Sequence, residues 1–458
     1  MSASLVLFTR DLRVRDNPAL SDGCASGESV VPLFVIDDAL VEGSFVGANR
    51  QRFLRESLLD LHESLTRLGG GLVVRRGAWV HEVLHVARAW GVTKIHVADD
   101  VSGFARNRLD RLEREATASG ISVRRHPGVT VVPPGAITPA GDHYKMFTPY
   151  HRRWVDVPWR PPVAVPVRVN LPEGVQIDVG LLRDGFPAGG QPSPEVIDGG
   201  ETAGLARLAA WSRETLARYG EIHDDLEGDA TSRISAYLHF GCLSPTEVAT
   251  VLRGRAGAAA FLRQLCWRDF FHQVLAARPE VAHRDYRQRG DLWNIDSEGF
   301  VAWQEARTGY PLVDAAMRQL RLEGFVHNRA RMVVASFLTK DLHIDWRLGA
   351  SHFMRLLVDG DVASNQLNWQ WTAGTGTDTN PNRIFNPVVQ GRRFDPTGNY
   401  IRRYLPELAD LDGDAIHWPD AADRERIGYP APLVDHNEAI AAFRAGISAA
   451  RQRGNRSI

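Results

Sequence analysis

The chain has 458 residues, of which 44% are hydrophobic and 24% are charged, and its formal net charge at pH 7 is −1. This length is enough for two domains, and this composition is typical of a globular protein rather than a disordered or membrane-embedded one. Because the net charge is close to zero, the sequence excludes a globally basic protein, and a surface for nucleic acid would have to be a local basic patch.

Targeting and metal-binding signals are absent from the sequence. The three cysteines, Cys24, Cys242 and Cys266, have neither the spacing of a metal centre nor the number of a disulfide framework, which predicts no metal site and a reducing, cytoplasmic location. The amino-terminal apolar run is short, and Arg10 interrupts it, so neither a signal peptide nor a membrane span is predicted. We expect a monomer.

Residues 1–126 alternate between strand-like and helix-like patterns. Short apolar runs predict strands at residues 4–9, 30–37, 72–77, 94–99 and 121–126. Amphipathic stretches predict helices at residues 49–68, 79–90 and 104–119. This alternation predicts a Rossmann-like α/β domain with a parallel sheet. No G-x-G-x-x-G follows the first strand, so the usual dinucleotide fingerprint is absent.

The rest of the chain divides into a connector and a helical region. Residues 127–200 are rich in proline and glycine, which predicts an interdomain connector that does not build the core. Residues 201–458 have a helical pattern almost throughout, which predicts an all-α domain. Its helices are expected at residues 201–219, 244–254, 257–277, 311–323, 326–340 and 349–358.

The first candidate site residues are Thr231, Ser232 and Arg233, which precede an amphipathic stretch. Either hydroxyl is suited to cap a helix that has Arg233 in its first turn. Free backbone N–H groups beside two hydroxyls form an anion site suited to a phosphate. A simple helix cap explains the same residues.

A second candidate is the segment 261–275, which predicts a helix with one unusual face. Gln264, Trp267, Arg268 and Phe271 are spaced i, i+3, i+4 and i+7 and therefore share that face. A carboxamide, an indole, a guanidinium and a phenyl ring together suit a planar, polar ligand. The alternative is an interface helix whose arginine reaches solvent along its stem.

Two further groups follow along the chain. Asn328, Arg331 and Met332 share a helical face, although a core helix with a paired arginine would have the same pattern. Asp359 and Asp361 interrupt an apolar run, and if they are buried they need a partner such as Arg331. Two aspartates without a histidine or a third carboxylate are weak evidence for a metal.

Residues 365–371, NQLNWQW, combine two tryptophans with four carboxamides. Exposing tryptophan and burying unpaired carboxamides both cost free energy, so the segment predicts a planar, polar ligand against it. Residues 382–403 contain five arginines and one acid, Asp395, among Phe and Tyr. This pattern indicates a nucleic-acid surface, and a solvated basic loop is the alternative.

The motifs occur in one order along the chain: TSRIS, WRDFF, HNRARM, DGDVASN, NWQW, RIFNP and YIRRYLPEL. With LFTRDLRVRDN near the amino terminus, they make the chain resemble the photolyase/cryptochrome family over most of its length. It most resembles the bacterial class I members, which repair cyclobutane pyrimidine dimers in UV-damaged DNA. The resemblance implies an α/β domain followed by an all-α domain that binds FAD.

The resemblance implies two groups of FAD-binding residues. One group would hold the phosphate and ribose region: Tyr219, Thr231, Ser232, Arg233, Ile234 and Ser235. The other would surround the isoalloxazine and adenine rings: Asn328, Arg331, Asp359, Gly360, Asp361 and Asn365. Asn365 would face flavin N5, where an amide side chain can form a hydrogen bond.

The resemblance also implies a light-driven reaction, in which excited, reduced FAD donates an electron to the flipped-out dimer, the ring opens and the electron returns. Residues that would act on the lesion are Gln264, Trp267, Asn328, Asn365 and Trp371. Trp293, Trp346 and Trp369 match a chain that carries electrons from the surface to the flavin, although a core role would explain any one of them. DNA contacts are implied for Arg268, Arg329, Met332, Gln390, Arg392 and Arg393.

Gln264 departs from the pattern, because the enzymes that repair cyclobutane dimers usually have glutamate there. Glutamine at this position resembles the enzymes that repair (6-4) photoproducts, which need a histidine pair near the lesion. The matching positions are Asn328 and Met332, with His327 one residue away. We therefore keep the cyclobutane dimer as the substrate and (6-4) repair as an alternative.

Relatives of this kind often carry a second, light-harvesting chromophore in the α/β domain. The acidic residue of methenyltetrahydrofolate-binding relatives is missing, because Phe104 and Ala105 occupy the matching place. This favours 8-hydroxy-5-deazaflavin, near Arg10, Arg50 and Asp100.

Two other classes of function are compatible with the motifs. A cryptochrome-like blue-light photoreceptor would bind FAD without repairing DNA, but Asn365 and the pocket tryptophans favour repair. A flavoenzyme driven by a soluble reductant would turn over in the dark, and it would leave the basic segment without a role.

Overall fold

The computed structural model describes residues 3–25, 29–41, 43, 46–139, 141–186 and 190–456, the side chains of 449–456 excepted. In this part of the chain, no helix is both long enough and apolar enough to cross a lipid bilayer.

The amino-terminal part contains a five-stranded parallel sheet with the order β3-β2-β1-β4-β5. Its strands are β1 Ala3–Leu7, β2 Ser29–Asp37, β3 Val73–Gly77, β4 Val92–Ala98 and β5 Ser122–His126. The predicted parallel sheet is therefore confirmed. Successive side chains of a strand point to opposite faces, so Leu5 packs in one core cluster and Val6 in another.

Helices cover both faces of this sheet. They are α1 Pro18–Ala25, α2 Asp38–Val41, α3 Ala48–Arg67, α4 Trp79–Ala89 and α5 Gly103–Ala118. The three helices predicted here are confirmed as α3, α4 and α5. Leu5 and Leu7 pack on the side of Val83 and Leu112, whereas Val6 packs on the side that continues into the helical region.

The segment 127–200 was wrongly predicted to stay out of the core. It contains the helices α6 Phe147–Asp156 and α7 Gly180–Asp184. Phe147, Tyr150 and Trp154 lie at spacings of three and four residues, and all three are buried in the largest core cluster. The many prolines and glycines around this short amphipathic helix masked its pattern.

The carboxy-terminal part is helical, as predicted. Its first helices are α8 Glu201–Glu214, α9 Tyr219–Ile222, α10 Ser235–Phe240, α11 Pro245–Leu252, α12 Ala258–Ala277, α13 Ser297–Gln304 and α14 Pro311–Glu323. The remaining helices are α15 Asn328–Ser336, α16 Trp346–Leu356, α17 Val362–Ala373, α18 Pro387–Phe394, α19 Asn399–Tyr404, α20 Ala421–Ile427 and α21 His436–Arg456. Short 3₁₀ turns lie at Leu216–Arg218, Pro279–Ala282, Pro406–Leu408 and Gly413–Ile416.

One predicted helix differs in kind from the observed structure. The stretch 326–340 was predicted as one continuous helix, but α15 ends at Ser336 and a single π-helical turn follows at Phe337–Asp341. Such π turns inside helical segments occur mostly near functional sites.

The α/β part and the helical part share a core and a buried polar interface. Phe53 of α3 packs against Tyr237 and Phe240 of α10. Arg13 is fully buried and donates to the Gly241 carbonyl oxygen at 2.9 Å. This interface holds the helical region in one position against the sheet.

Candidate active site

A cavity of about 490 Å³ opens in the helical region, among α10, α12, α15, α16 and α17. Its floor is formed by buried residues that include Phe353, Asp361 and Trp369, whereas Gln264 and Asn328 are exposed at its mouth. The volume is within the range of ligand-binding pockets in proteins. Most of the predicted site residues line it: Tyr219, Thr231, Ser232, Arg233, Ile234, Ser235, Gln264, Trp267, Arg268, Asn328, Arg329, Arg331, Met332, Asp359, Asp361, Asn365, Trp369 and Trp371.

One wall of the cavity is the face of α12 predicted from spacing. Gln264, Trp267, Arg268 and Phe271 all line the cavity, which confirms that they share a face. Trp267 lies parallel to Phe147, with ring centroids 3.6 Å apart and an interplanar angle of 3°. The connector helix α6 therefore covers one face of Trp267 and fixes the orientation of the indole.

The structure gives Arg268 internal hydrogen-bond partners rather than a free guanidinium. Its Nη1 donates to the Val129 carbonyl oxygen and its Nη2 to the Leu238 carbonyl oxygen, the latter at 3.2 Å. Burial lowers the pKa of Arg268. These N–H groups join α12 to the connector and to α10, and the contact of Arg268 with DNA stays a prediction.

A second wall holds a buried carboxylate with the partner predicted for it. Arg331 Nη2 donates to Asp359 Oδ2 at 2.8 Å, and Ser235 Oγ donates to the same oxygen at 2.7 Å. The pairing of Asp359 with Arg331 is thus confirmed. The other oxygen, Asp359 Oδ1, is buried and has no hydrogen-bond partner among the described residues.

Asp361 connects the cavity to the sheet. Arg10 Nη2 donates to Asp361 Oδ2 at 2.6 Å, and Arg10 Nη1 donates to Asp100 Oδ2 at 3.2 Å. Asp361 Oδ1 caps α17 by accepting from the Ser364 backbone N–H at 2.8 Å. Burial alone would raise the pKa of Asp361, but His272 and Arg10 hold it well below its ordinary value.

The expectation for Thr231, Ser232 and Arg233 was wrong in its local structure. Helix α10 begins only at Ser235, and no side chain caps it. Arg233 lies before the helix with φ of 51° and is bonded to Asp229 at 2.8 Å and to Glu323 at 2.6 Å. L-residues rarely adopt this left-handed backbone conformation, and the two acids hold the guanidinium in place.

The segment NQLNWQW forms the last two turns of α17, and one face of it lines the cavity. Asn365 Nδ2 donates to the Ala350 carbonyl oxygen at 3.1 Å and to Gln366 Oε1 at 2.9 Å. Trp369 is buried at the floor, and Trp371 lies nearer the surface beneath Arg383, whose Cζ is 5.2 Å from the ring centroid. Two tryptophans and a carboxamide thus contact the same cavity.

The three predicted electron-transfer tryptophans differ in burial. Trp369 lines the cavity, Trp346 is completely buried outside it, and Trp293 is half-buried beside His343, with ring centroids 5.2 Å apart. Trp346 Nε1 donates to Asp285 Oδ1 at 2.8 Å. One of the three thus lines the cavity and another is partly exposed, and their role in electron transfer stays a prediction.

Gly349, on α16, provides the space that Trp369 occupies. A Cβ atom at this position would lie closer to the Trp369 ring and to Leu338 than real Cβ atoms come. We expect Gly349→Ala to displace the Trp369 ring and to lower the free energy of unfolding by about 1–3 kcal/mol. Thermal denaturation and the near-UV circular dichroism of the tryptophans would measure both effects.

The matched control is Gly446→Ala in α21, where a Cβ atom meets nothing within 4 Å. Alanine has a higher helix propensity than glycine, so this variant is expected to be neutral or slightly stabilising. An equal loss of stability in both variants would contradict the packing argument for Gly349.

The predicted DNA-contact residues outside α12 lie around the mouth of the cavity and on α18. Arg329 is paired with Asp224, and Nη2 lies 2.5 Å from Oδ2. Arg392 is paired with Asp414 at 2.5 Å, whereas Arg393 is exposed and has no carboxylate at ion-pair distance among the described residues. Gln390 is half-buried on the same helix.

One other arginine of the segment 382–403 has several internal partners. Arg402 donates to the carbonyl oxygens of Thr397, Ala409 and Leu411. The Arg383 and Arg403 side chains are 42% and 50% exposed, and the DNA contact of this segment stays a prediction. Within this segment, Arg393 is the arginine that is exposed and has no carboxylate at ion-pair distance among the described residues.

The three residues predicted to bind an antenna lie at the interface between the sheet and the helical region. Arg10 bridges Asp100 and Asp361, and Arg50 donates to the carbonyl oxygens of Met354 and Leu357. Burial lowers the pKa of Arg50 to about 10. None of these three residues lines the cavity in the helical region.

Gly360, predicted to bind FAD, does not line the cavity either. Because glycine has no side chain, this position leaves room for the Arg50 guanidinium.

Sequence reasoning missed two contributors to the site. Asn368 is exposed at the mouth of the cavity, and its spacing from Asn365 on α17 was the signal that would have found it. Phe147 was missed because it lies in the connector, and only the spacing of Phe147, Tyr150 and Trp154 marks that segment as a buried helix.

Comparison with known proteins agrees with this architecture. Residues 4–167 match the DNA photolyase family model, and residues 261–449 match the FAD-binding domain of DNA photolyase. The part of the chain that matches the FAD-binding domain includes α15, α16, α17 and nearly all of α12, and these helices form most of the cavity. Residues 219–235, which also line the cavity, precede the matched part.

Full-length relatives point the same way. The chain is 49% identical to the deoxyribodipyrimidine photo-lyase of Streptomyces griseus, over 97% of this chain and 98% of that one. It superposes on a class III photolyase of Agrobacterium tumefaciens with a TM-score of 0.92 and 31% identity, over 99% and 98% of the two chains. It also superposes on a Synechocystis cryptochrome with a TM-score of 0.89 and 31% identity, over 97% and 99%. The chain belongs to the photolyase/cryptochrome family, and it carries that family's FAD-binding domain.

Proposed function

We propose that this protein is an FAD-dependent, light-driven lyase that repairs cyclobutane pyrimidine dimers in DNA. The observation that carries the proposal is the cavity itself. Its mouth combines Gln264, Trp267, Asn328 and Trp371, and its floor is polar and largely buried. A flipped-out pyrimidine dimer, which is two joined bases of one strand, suits the mouth, and a flavin nucleotide suits the floor. The 49% identity to a deoxyribodipyrimidine photo-lyase supports the same reaction.

The floor has polar atoms suited to FAD. Thr231 Oγ1 and Asp359 Oδ1 line the cavity, are buried and have no partner among the described residues. Buried polar atoms normally have hydrogen-bond partners, so both oxygens fit a ligand that forms hydrogen bonds with them. The residues that would hold FAD are Tyr219, Thr231, Ser232, Ser235, Arg331, Asp359, Asp361 and Asn365. When bound and reduced, FAD supplies the light-excited electron that acid–base groups cannot supply.

The residues of the chain bind, orient and shield the lesion. Trp267, fixed by Phe147, and Trp371 offer aromatic surfaces to an unstacked base. Gln264 offers one donor group and one acceptor oxygen to the pyrimidine edge. Extruding a base costs least where damage has already weakened stacking and pairing, which favours the lesion over intact DNA.

The position of His327 supports the cyclobutane dimer over the (6-4) photoproduct. His327 is buried, caps α15 by accepting from the Arg329 backbone N–H at 3.2 Å, and does not line the cavity. Burial lowers its pKa to about 4, so it is neutral at pH 7. Asn328 and Met332 line the cavity at the positions where a (6-4) enzyme would need a histidine pair.

The test is illumination of the purified protein, with its flavin reduced, in the presence of defined lesions. One oligonucleotide carries a thymine cyclobutane dimer and another carries a (6-4) photoproduct, each with a dark control. We expect light-dependent restoration of the cyclobutane dimer alone. Repair of only the (6-4) lesion would overturn the choice of substrate. Repair of neither lesion by a protein with bound, photoreducible flavin would favour a photoreceptor, as in the similar cryptochrome.

Binding of damaged DNA is expected to weaken with salt through Arg393. The Arg393 charge is exposed and has no carboxylate partner in the described structure. A plot of log binding constant against log salt concentration should therefore be less steep for Arg393→Gln, by about 1 unit of slope. Fluorescence anisotropy with a lesion-containing duplex at several salt concentrations measures this slope. The control is Arg111→Gln on α5, which is also exposed and should leave the slope unchanged. An unchanged slope for Arg393→Gln would exclude this phosphate contact.

For the antenna, we propose 8-hydroxy-5-deazaflavin rather than methenyltetrahydrofolate. The support is the sequence Phe104-Ala105 at the start of α5, where the folate-binding relatives have an acid; Phe104 is 48% exposed. Expression in a host that makes the deazaflavin, followed by chromatography of the released chromophores, tests the proposal. A folate, any other second chromophore or FAD alone would overturn it.

A further inference from the structure

Three potential metal ligands converge in the α/β part, away from the candidate active site. Asp22 lies on α1, His96 on β4 and His126 at the end of β5. His96 Nδ1 is 3.0 Å from His126 Nε2, and Asp22 Oδ2 is 3.4 Å from His96 Nδ1 and 3.8 Å from His126 Nε2. They form the one group of three or more such side chains that could hold a metal among the described residues.

These separations match the spacing of ligands around a tetrahedral zinc ion. Zinc lies about 2.0–2.2 Å from nitrogen and oxygen ligands, so neighbouring ligand atoms of a tetrahedral site are about 3.4 Å apart. The observed distances of 3.0, 3.4 and 3.8 Å are centred on that value. One oxygen and two imidazole nitrogens are also a donor set that zinc and related divalent ions prefer.

A hydrogen bond between the two histidines explains only part of this arrangement. It accounts for the contact of 3.0 Å between His96 and His126, but not for the position of Asp22 Oδ2, which is buried, faces both nitrogens and is paired with the Arg124 guanidinium, whose Nη1 is 2.9 Å away. A metal ion among the three ligand atoms would contact all of them at once, which that ion pair does not do.

We propose that Asp22, His96 and His126 bind one divalent transition-metal ion, zinc being the best match, and that the ion fastens α1 to β4 and β5. The Asp22 side chain is one-third exposed, which leaves a fourth position open to water. Sites with three protein ligands and one water are a common form of zinc coordination.

Two positive side chains near the cluster limit the affinity. Arg124 Nη1 lies 2.9 Å from Asp22 Oδ2, and Lys94 and Arg124 both place positive charge near His96. The Arg124 side chain is 60% exposed, so it can turn into solvent when a metal takes its place beside Asp22. The affinity should therefore be lower than that of a zinc site with four protein ligands, and Arg124→Gln should increase it.

The experiment is a titration of the chelator-treated, full-length protein with Co²⁺, whose visible absorption reports tetrahedral coordination, and with Zn²⁺ by calorimetry. His81 and His85 form an exposed histidine pair on α4, with ring centroids 6.2 Å apart. Such a pair also attracts metal ions, so every protein in the series carries His81→Gln. The variants Asp22→Asn and His126→Gln are then compared with that background.

The expected result is one ion per chain in the His81→Gln background. Loss of a residue that merely orients a metal ligand weakens metal binding by roughly 10–100-fold. Loss of a ligand itself should weaken zinc binding by at least as much. Zinc at 100 times its dissociation constant should raise the folded-to-unfolded ratio about 100-fold, seen as a higher Tm, in the background protein and not in Asp22→Asn.

Two results would overturn the proposal: no binding in the His81→Gln background protein, or binding that neither substitution weakens. Asp22→Asn changes only the charge of a partly exposed side chain, so it decides the matter if His126→Gln fails to fold. None of these measurements depends on DNA repair, so the outcome is separate from that of the proposed function.

Discussion

Replacing Asp361 with asparagine is expected to lower the free energy of unfolding by about 3–5 kcal/mol, because it breaks a buried ion pair and leaves the Arg10 guanidinium with less compensation. Asp361 accepts from Arg10 at 2.6 Å and lies 3.7 Å from His239 Nδ1 and from His272 Nε2. Asparagine has the same size and still caps α17, so the loss reports the missing charge.

The same substitution should change how stability depends on pH. The pKa of Asp361 is well below its ordinary value in the folded protein, so the carboxylate contributes stability above the unfolded pKa of about 3.9, and this stability is lost as the pH falls towards the folded pKa. Asp361→Asn should therefore lose less stability than the parent between about pH 5 and pH 3.

Denaturant unfolding at pH 7 and across the acid range measures both effects of Asp361→Asn. The control is Asp412→Asn, since Asp412 is fully exposed and lies 3.9 Å from Arg402; a surface pair of this kind contributes about 0–1 kcal/mol. If the two variants were equally stable, the Arg10–Asp361 pair would not hold the helical region against the sheet. Weaker flavin retention in Asp361→Asn would further support the assignment of this residue to the cofactor site.

The second large effect is expected for Trp346→Phe. Light-driven reduction of the oxidised flavin should fall to the level of the dark control, because phenylalanine is much harder to oxidise than tryptophan. Repair by protein whose flavin is reduced chemically beforehand should persist, since Trp346 is buried and does not line the cavity. Transient absorption of the flavin, with and without prior chemical reduction, separates the two steps.

Trp303→Phe is the matched control for Trp346→Phe. Trp303 is equally buried, and its ring centroid lies 6.1 Å from that of Trp369, but it is not one of the three predicted electron-transfer tryptophans. Photoreduction should survive this change. If Trp303→Phe abolished photoreduction and Trp346→Phe did not, electrons would leave the cavity through Trp303, and the assignment of Trp346 would be wrong.

Gln264 tests whether a carboxylate is needed at the mouth of the cavity for repair of the cyclobutane dimer. It is exposed at the mouth of the cavity, on the same face as Trp267 and Phe271. A glutamine forms one hydrogen bond as donor and one as acceptor but carries no charge, whereas glutamate carries a charge and only accepts. Repair of the cyclobutane dimer by this protein would show that a carboxylate is dispensable at this position.

Local periodicity determined much of what could be predicted. The sheet, the three longest helices of the α/β part and helices such as Pro311–Glu323 follow from apolar spacing and from proline and glycine at their ends. The stripe formed by Gln264, Trp267 and Arg268 follows in the same way, because residues three and four apart share a helical face whatever the helix packs against. The order of motifs along the chain was likewise sufficient to indicate the family.

What only the tertiary structure decided depends on residues that are distant in sequence. Arg10 meets Asp361 across 351 positions, and Asp22 meets His96 and His126 where one helix and two strands converge. Arg268 meets the carbonyl oxygens of Val129 in the connector and of Leu238 in α10. Arg233 lies before the helix and is bonded to Asp229 and to Glu323, which is 90 positions away. A periodic pattern states which side of an element is apolar, but the packing of the whole chain determines which buried charges become partners.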